Sequence, residues 1–441
     1  MLAILANRTY RHLFAAQVIA LVGTGLMTVA LALLAYRLAG DNAGAVLGTA
    51  LAIKMIAYVG VAPLAGDLAA RLPRRAFLVT LDLLRAAVAL ALPFVDQVWQ
   101  IYLLIALLQS ASAAFTPAFQ ATIPDILPQE EDYTRALSLS RLAYDLENLL
   151  SPALAALLVG LFGFQWLFGG TVLGFLTSAV LIVSVTLPRR SSAGDTGRRL
   201  GDGIRIYLKT PRLRGLLALN LAVAAAGAMV IVNTVVLVRG ALGLTDADVA
   251  IAMAAFGCGS MVAALLLPRV LDRLGDRPVM LCAAGAMTLL LIGFAAMAGR
   301  LPHGALWPCL LVVWAVLGAS YSAAQLPTGR LLRRSAHAGD RPSLFAAQFA
   351  LSHAGWLLTY PLAGWLGTIG MPAALLTLGT LAALGTALAF ILWPAPDPES
   401  IAHEHADLAA EHPHLAGGAR THRHAFVIDD LHQHWPASAR G

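Results

Sequence analysis

Long apolar runs alternate with short polar stretches along almost the whole chain. Most runs are about 20 residues long, which is the length that an α-helix needs to cross the hydrocarbon of a bilayer. Because backbone polar groups inside a bilayer must be paired within their own segment, the runs predict membrane-spanning helices. The predicted spans number twelve: 13–36, 45–66, 76–95, 98–119, 139–162, 166–187, 215–238, 247–267, 278–298, 305–326, 343–365 and 372–393.

Arginine and lysine are concentrated in the predicted loops on one side of the membrane. The loops on the other side hold three arginines, Arg37, Arg239 and Arg300. Positive loops face the cytoplasm, so this bias predicts a multi-pass protein of the cytoplasmic (inner) membrane with both termini inside. The chain then divides into a six-helix half (1–187), a basic linker (188–214), a second six-helix half (215–393) and a polar tail (394–441) that we expect to be disordered.

Composition narrows the function. Hydrophobic residues make up 59% of the chain and charged residues 12%, whereas soluble domains carry about 25% charged residues. The net charge of +6 is spread over short loops and does not indicate nucleic-acid binding. The three cysteines lie in apolar runs without metal-site spacing. The sequence has no Walker-type phosphate loop and no nucleophile with its base. These features predict a secondary transporter in a lipid bilayer and not an enzyme.

Two charged turns about 200 residues apart follow the second and eighth predicted spans, and an internal echo of this kind predicts two similar halves. The first turn contains Gly66, Asp67, Arg71, Arg74 and Arg75, and the second contains Asp272, Arg273, Gly275 and Arg277. Pro152 in span 5 and Pro361 in span 11 are a further pair of related positions.

The two halves, the basic linker and the charged turns resemble the major facilitator superfamily. The resemblance implies an all-α membrane fold of twelve transmembrane helices, here expected as a monomer. It also implies that the turns control the conformational change between the halves, and that there is a helix kink at each of the two related prolines. The first turn has Ala70 and Pro73 where the family motif has Asp and Gly. The stretch from Phe115 to Asp125 resembles the exporter branch that includes enterobactin and macrolide efflux permeases.

Four ionisable residues inside predicted spans are candidates for transport and proton coupling. A charge in hydrocarbon costs on the order of 3 kcal/mol or more, so each one needs a reason. Lys54 is either half of an internal ion pair or a charge that engages substrate or a carboxylate. Glu147 is the preferred proton site, and Asp145 either pairs with Arg141 or serves as a second carboxylate. His353 is either a packing residue or a coupling group, and the superfamily resemblance places it near Lys54.

Histidine is concentrated in the tail, where eight of the twelve histidines form four His-x-His doublets. The doublets are His403/His405, His412/His414, His422/His424 and His432/His434. Residues two apart in an extended chain point the same way, so each doublet can offer two imidazoles to one ion. The alternative is a solvated tail without metal. The only bound group that we expect is therefore a transition-metal ion on this tail.

A His-rich tail on a twelve-span permease resembles the nickel-resistance exporters of the superfamily. The resemblance favours proton-coupled efflux of a divalent transition metal, nickel or cobalt first. One alternative is an efflux permease for a drug, siderophore or other small organic compound, with the tail regulatory. Another is a transporter-like metal sensor whose tail signals to a cytoplasmic partner.

Overall fold

Nearly all of the chain is described in a computed structural model. The described residues are 2–120, 122–187, 200–298, 300–337, 340–395, 397–398, 400–404, 415, 421–429 and 431–436. Within these ranges some helical side chains are also left undescribed, including those of residues 62–71.

Twelve helices of 18 or more residues dominate the described chain, in agreement with the predicted number of spans. In the first half they are α1 (Arg8–Ala39), α2 (Ala43–Arg71), α3 (Arg74–Ala91), α4 (Val98–Gln120), α6 (Glu130–Phe162) and α7 (Gln165–Val183). In the second half they are α9 (Pro211–Val235), α10 (Asp246–Leu274), α11 (Asp276–Ala298), α12 (His303–Gln325), α14 (Arg341–Ile369) and α15 (Met371–Leu392). Three shorter helices are α5 (Ile123–Ile126), α8 (Leu200–Lys209) and α13 (Thr328–Arg334).

By length and hydropathy alone, nine helical stretches of the described chain are able to cross a membrane, and one of them, Arg8–Val61, holds α1 and much of α2. The fold is therefore that of a multi-pass, all-α membrane protein. The short helices α5, α8 and α13 lie on the side where α2 ends and α3 begins, and we call this side the linker face.

The six long helices of each half pack mainly among themselves. In the first half α1 packs on α7 and α2 on α4, while in the second half α9 packs on α15 and α10 on α12. The two halves meet along α2 with α14 and along α6 with α10. A transporter site is expected between two such halves, so these two seams set its position.

The seam between α2 and α14 depends on glycine. A Cβ added at Gly48 would lie 3.2 Å from the Cα of Gly364, and one added at Gly364 would lie 3.0 Å from the Cα of Ala45. Without side chains at these points the two backbones approach closely, which is how membrane helices gain packing contacts. The halves can therefore touch here without an apolar side chain between them.

Large apolar side chains cover the outer surface of the bundle. At the ends remote from the linker face, Phe94, Trp99, Trp166 and Trp365 are at least 61% exposed. Aromatic side chains are typical of the boundary between lipid and water. The exposed apolar surface is thus the one that lipid covers.

The tail departs from the expected disorder at the residues described. Strand β1 (Ser400–Glu404) pairs antiparallel with β2 (Thr421–Ala425). Ile401, Phe426, Ile428 and Trp435 are buried in the same apolar cluster as the second half of the bundle. The prediction of disorder was based on the low average hydrophobicity of the tail and missed these four side chains. Their burial anchors the tail to the bundle.

The glycine seam gives a first prediction. Gly364→Ala should lower the thermal midpoint of the solubilised protein, because overpacking costs about 1–3 kcal/mol. Gly285→Ala is the matched control, since no atom lies within 4 Å of a Cβ at that site. Scanning fluorimetry measures both; equal midpoints for the two variants would show that the α2–α14 approach is not close.

Candidate transport site and tail histidine cluster

A lysine and a glutamate of opposite charge lie inside the first half. Lys54 is on α2 and Glu147 is on α6, both side chains are partly accessible, and the two charges act on each other electrostatically. Gly25 of α1 faces this region, because a Cβ there would lie 3.2 Å from Oε1 of Glu147. Small size at Gly25 therefore leaves room for the carboxylate beside α1.

Lys54 also reaches the second half through aromatic rings. Its Nζ lies 6.0 Å from the ring centroid of Tyr58. The Tyr58 ring stacks on His353 of α14 at 5.8 Å, and His353 lies 4.0 Å from the ring of Phe349. His353 Nδ1 donates to the Phe349 carbonyl oxygen at 2.6 Å. The structure thus brings Lys54, Glu147 and His353 into one region at the junction of the halves.

A second series of rings continues through the second half. Phe256 of α10 contacts Tyr321 of α12 edge-on at 5.6 Å, and Tyr321 contacts Trp356 of α14 at 6.5 Å. Trp356 then lies 4.9 Å from Tyr360. These residues form a continuous series of aromatic rings within the second half.

Other predicted residues of the spans fall partly outside the description. The side chains of Asp145, Arg141 and Pro152 lie outside the described residues. Pro361 is inside α14, as the predicted kink requires. Its roles in bending and in transport remain predictions.

The first charged turn is held by an acidic residue that sequence analysis missed. Arg74 forms an ion pair with Asp125 of α5, and Arg75 donates to the Val183 carbonyl at the end of α7. Only the proximity of α5 in space reveals Asp125, although it closes the stretch Phe115–Asp125. The side chains of Gly66, Asp67 and Arg71 are outside the described set.

A buried ion pair lies just beyond this turn. Asp82 and Arg85 of α3 pair with each other, and Ser178 of α7 donates to Asp82 Oδ2 at 2.7 Å. The Arg85 guanidinium lies 4.1 Å from the ring centroid of Phe115. These partners join α3 to α4 and α7, so the pair stabilises the packing of three helices.

The second charged turn is built around a glycine. Gly275 ends α10 with φ +76, a conformation that favours glycine. Arg277 Nε donates to the Trp393 carbonyl oxygen at 2.8 Å, whereas Arg273 is exposed. The Asp272 side chain is among those not described. Asp276, which directly follows Gly275, pairs with Arg330 at 3.0 Å.

Asp397 collects contacts from several distant segments on the linker face. Its carboxylate pairs with Arg334 of α13, and its Oδ1 lies 3.4 Å from Nε of Arg212 at the start of α9. Trp393 Nε1 donates to it at 3.0 Å. Asp397 follows the last span in a proline-rich stretch, a position that gave no signal in the sequence.

Four tail histidines share one region of the hairpin. His403 is directly opposite His422 in the strand pair, and Ile401 is opposite His424, so the three imidazoles are on one face. Ligand nitrogens of His403, His422 and His424 lie within 4.8 Å of one another. His432 closes the group, because its Nε2 lies 3.0 Å from Nε2 of His403. The cluster therefore combines residues from three predicted doublets.

The remaining tail histidines are not part of this group in the described chain. His434 is exposed, two residues beyond the buried His432. His405, His412 and His414 lie outside the described residues. Their predicted metal binding stays a prediction.

The hairpin region is attached to the linker face by polar contacts. Lys209 Nζ donates to the Gln433 carbonyl oxygen at 2.9 Å, and the Arg212 guanidinium lies 5.1 Å from the Trp435 ring centroid. His337, after α13, contacts Asp429 at 3.2 Å. Hydrogen bonds from His432 and His337 outweigh the opposing effect of burial and lower the pKa of Asp429.

Two six-helix halves that meet around charged and aromatic side chains define a secondary transporter. The family model of the Major Facilitator Superfamily matches residues 13–237 and 217–428. The chain belongs to this superfamily. Membership of this superfamily identifies the chain as a transporter.

Some of the proteins that are similar in sequence to this chain are named efflux proteins. Macrolide efflux protein A of Streptococcus pyogenes is 25% identical over 182 residues, which are 40% of this chain and 44% of that protein. The match therefore spans less than half of the relative.

Solved structures share the fold at low identity. A nucleoside transporter, NupG, covers 87% of this chain and 98% of its own, with a TM-score of 0.63 and 16% identity. A bacterial metal transporter covers the same shares, with a TM-score of 0.60 and 13% identity. Such different transporters fit about equally well, so the likeness shows the fold alone.

The Asp397 network gives a second prediction. Asp397→Asn should lower stability on the order of 3 kcal/mol, because it removes the negative charge that Arg334 and the buried Arg212 both contact. Asp96→Asn, at an exposed loop position on the opposite side, is the control. Thermal midpoints in detergent measure the effect, and a midpoint as high as that of the control would mean that the network contributes nothing.

Proposed function

We propose that this transporter exports a small organic compound across the cytoplasmic membrane, with protons entering through Glu147. In this proposal the linker face and both termini are cytoplasmic. The observation that carries the proposal is that Lys54 and Glu147, two opposite charges that act on each other electrostatically, lie inside the first half near its seam with the second.

The two charges suit a site where a proton and a substrate bind in turn. A carboxylate in the membrane interior can be neutralised by Lys54, by a proton or by a cationic group of a substrate. When a proton binds Glu147, Lys54 loses its counter-charge and its interactions with both halves change. Because Lys54 is linked to His353 through Tyr58, that change reaches the seam that must open and close.

The same surroundings favour an organic compound over a bare metal ion. The positive charge of Lys54 repels a divalent cation close to Glu147. Aromatic rings from Phe256 to Tyr360 offer apolar surface for a larger molecule. The macrolide efflux relative points the same way. Support for the metal-export hypothesis comes from the tail, which is separate from this path.

An accumulation assay tests the proposal. In bacteria that lack their own drug exporters, the wild-type chain should lower the accumulation of a labelled macrolide. Glu147→Gln should raise it to the level of cells without the transporter, because a neutral amide cannot exchange a proton. Asp96→Asn, at an exposed loop position, is the control and should transport normally.

The same cells are tested for nickel and cobalt. Lowered metal accumulation with unchanged macrolide would refute the organic substrate in favour of metal export. Normal macrolide export by Glu147→Gln would refute the role given to this carboxylate.

A double-mutant cycle tests the charge pair by itself. Glu147→Gln or Lys54→Met alone should lower the thermal midpoint, because each leaves one charge in the membrane interior without its counter-charge. The double variant should recover a large part of the loss, with a coupling of about 0.5–3 kcal/mol. Strictly additive effects would show that the two charges do not stabilise each other.

A further inference from the structure

We propose that His403, His422, His424 and His432 form a single site for one divalent transition-metal ion, and that filling it fixes the tail on the linker face. This site is distinct from the transport path, and the proposal does not depend on the substrate. It also differs from binding by separate His-x-His doublets, since its ligands come from both strands and from the turn after β2.

The hydrogen bonds of the imidazoles indicate which ring nitrogen carries the proton. Nδ1 of His403 donates to the Ile401 carbonyl at 3.1 Å, and Nδ1 of His424 donates to the Ala425 carbonyl at 2.8 Å. A carbonyl oxygen only accepts, so these protons are on Nδ1, and Nε2 is the nitrogen of each neutral ring whose lone pair can bind a metal ion. His432 is held in the same way, because its Nδ1 contacts Asp429 Oδ1 at 2.9 Å.

The spacing suits one ion. Nε2 of His403 and Nε2 of His432 are 3.0 Å apart, and two nitrogens bound to one zinc ion at about 2.0–2.1 Å lie roughly 3.3–3.4 Å apart. His422 and His424 each place a ring nitrogen within 4.8 Å of a ring nitrogen of His403. A proton between His403 and His432 would explain that single contact. It would not explain why two further imidazoles share the face.

The supporting residues resemble those around known metal sites. A carboxylate or carbonyl that accepts from the second ring nitrogen orients a ligating histidine and increases its basicity. Asp429 does this for His432 and also contacts His337 on the linker face. Four imidazoles suit zinc, nickel, copper or cobalt(II) and not magnesium or calcium.

Metal binding would also strengthen attachment of the tail. An ion that joins β1, β2 and His432 would restrict the same segment whose Trp435 packs near Arg212 and whose Gln433 accepts from Lys209. These contacts are made with α8 and α9, where the linker enters the second half. The metal level could in this way change the mobility of the second half at the linker face.

The test compares two histidines of one doublet. The intact, metal-stripped protein in detergent is titrated with cobalt(II), nickel or zinc chloride, for the wild type and for His432→Ala, His403→Ala and His434→Ala. The His432 and His403 variants should each lose one bound ion per chain and the absorption of tetrahedral cobalt(II), whereas His434→Ala should keep both. Asp429→Asn should weaken binding about 10–100-fold through positioning.

Hydrogen exchange in the same samples separates ligand loss from unfolding. In the wild type, metal should slow amide exchange across Thr421–Ala425 at least several-fold. The His403 variant should match the metal-free wild type and show no response to metal. Equal losses for His432→Ala and His434→Ala would refute the cluster in favour of independent doublets. An unchanged ion count in all variants, or metal-insensitive exchange in the wild type, would also overturn the proposal.

Discussion

Opposite charges inside a bilayer must be close together, and Lys54 and Glu147 impose that condition on the first half. Either charge alone would raise the free energy of the protein in hydrocarbon. Arrangements of the helices in which the two charges compensate each other are therefore favoured. Gly25 leaves space beside the carboxylate, and Tyr58 connects the lysine to His353 across the seam. A change in the charge of Glu147 therefore alters contacts within one half and between the two halves.

The linker face follows a similar rule with different groups. Asp397 brings together the start of α9, the end of α13 and the residue that follows α15. Segments far apart in the chain thus meet at one carboxylate. The hairpin docks beside this network through Trp435 and Lys209. The second half therefore has a polar attachment point on its linker face, whereas the first half relies on Arg74 with Asp125 and on the buried pair of Asp82 and Arg85.

Much of the fold could be predicted from the sequence because membrane spans are set by length and hydropathy. Lys54, Glu147 and His353 could be selected because ionisable groups are rare in such spans, and the structure places them in one region. Their roles remain proposals. Asp125 and Asp397 could not be selected, since an acidic residue in a loop is ordinary until its arginine partners are known.

The tail illustrates the same limit. The His-x-His spacing identified histidines that point the same way along an extended chain. The pairing of His403 with His422, however, depends on the register of a hairpin. That register is supported by the burial of Ile401 and Phe426 against the bundle. The low average hydrophobicity of the tail conceals these two apolar residues. The proposed substrate class depends on the same comparison of tail and bundle. The tail suggested metal, whereas the partial match to a macrolide exporter and the Lys54–Glu147 pair favour an organic compound.

The most direct test of the central claim is transport by the purified protein in liposomes with an imposed pH gradient. If Glu147 exchanges protons for an organic substrate, a labelled macrolide should accumulate inside acidic-interior vesicles while their internal pH rises, and both signals should vanish when the gradient is collapsed. Macrolide movement that is indifferent to the gradient, or nickel movement in its place, would contradict this account.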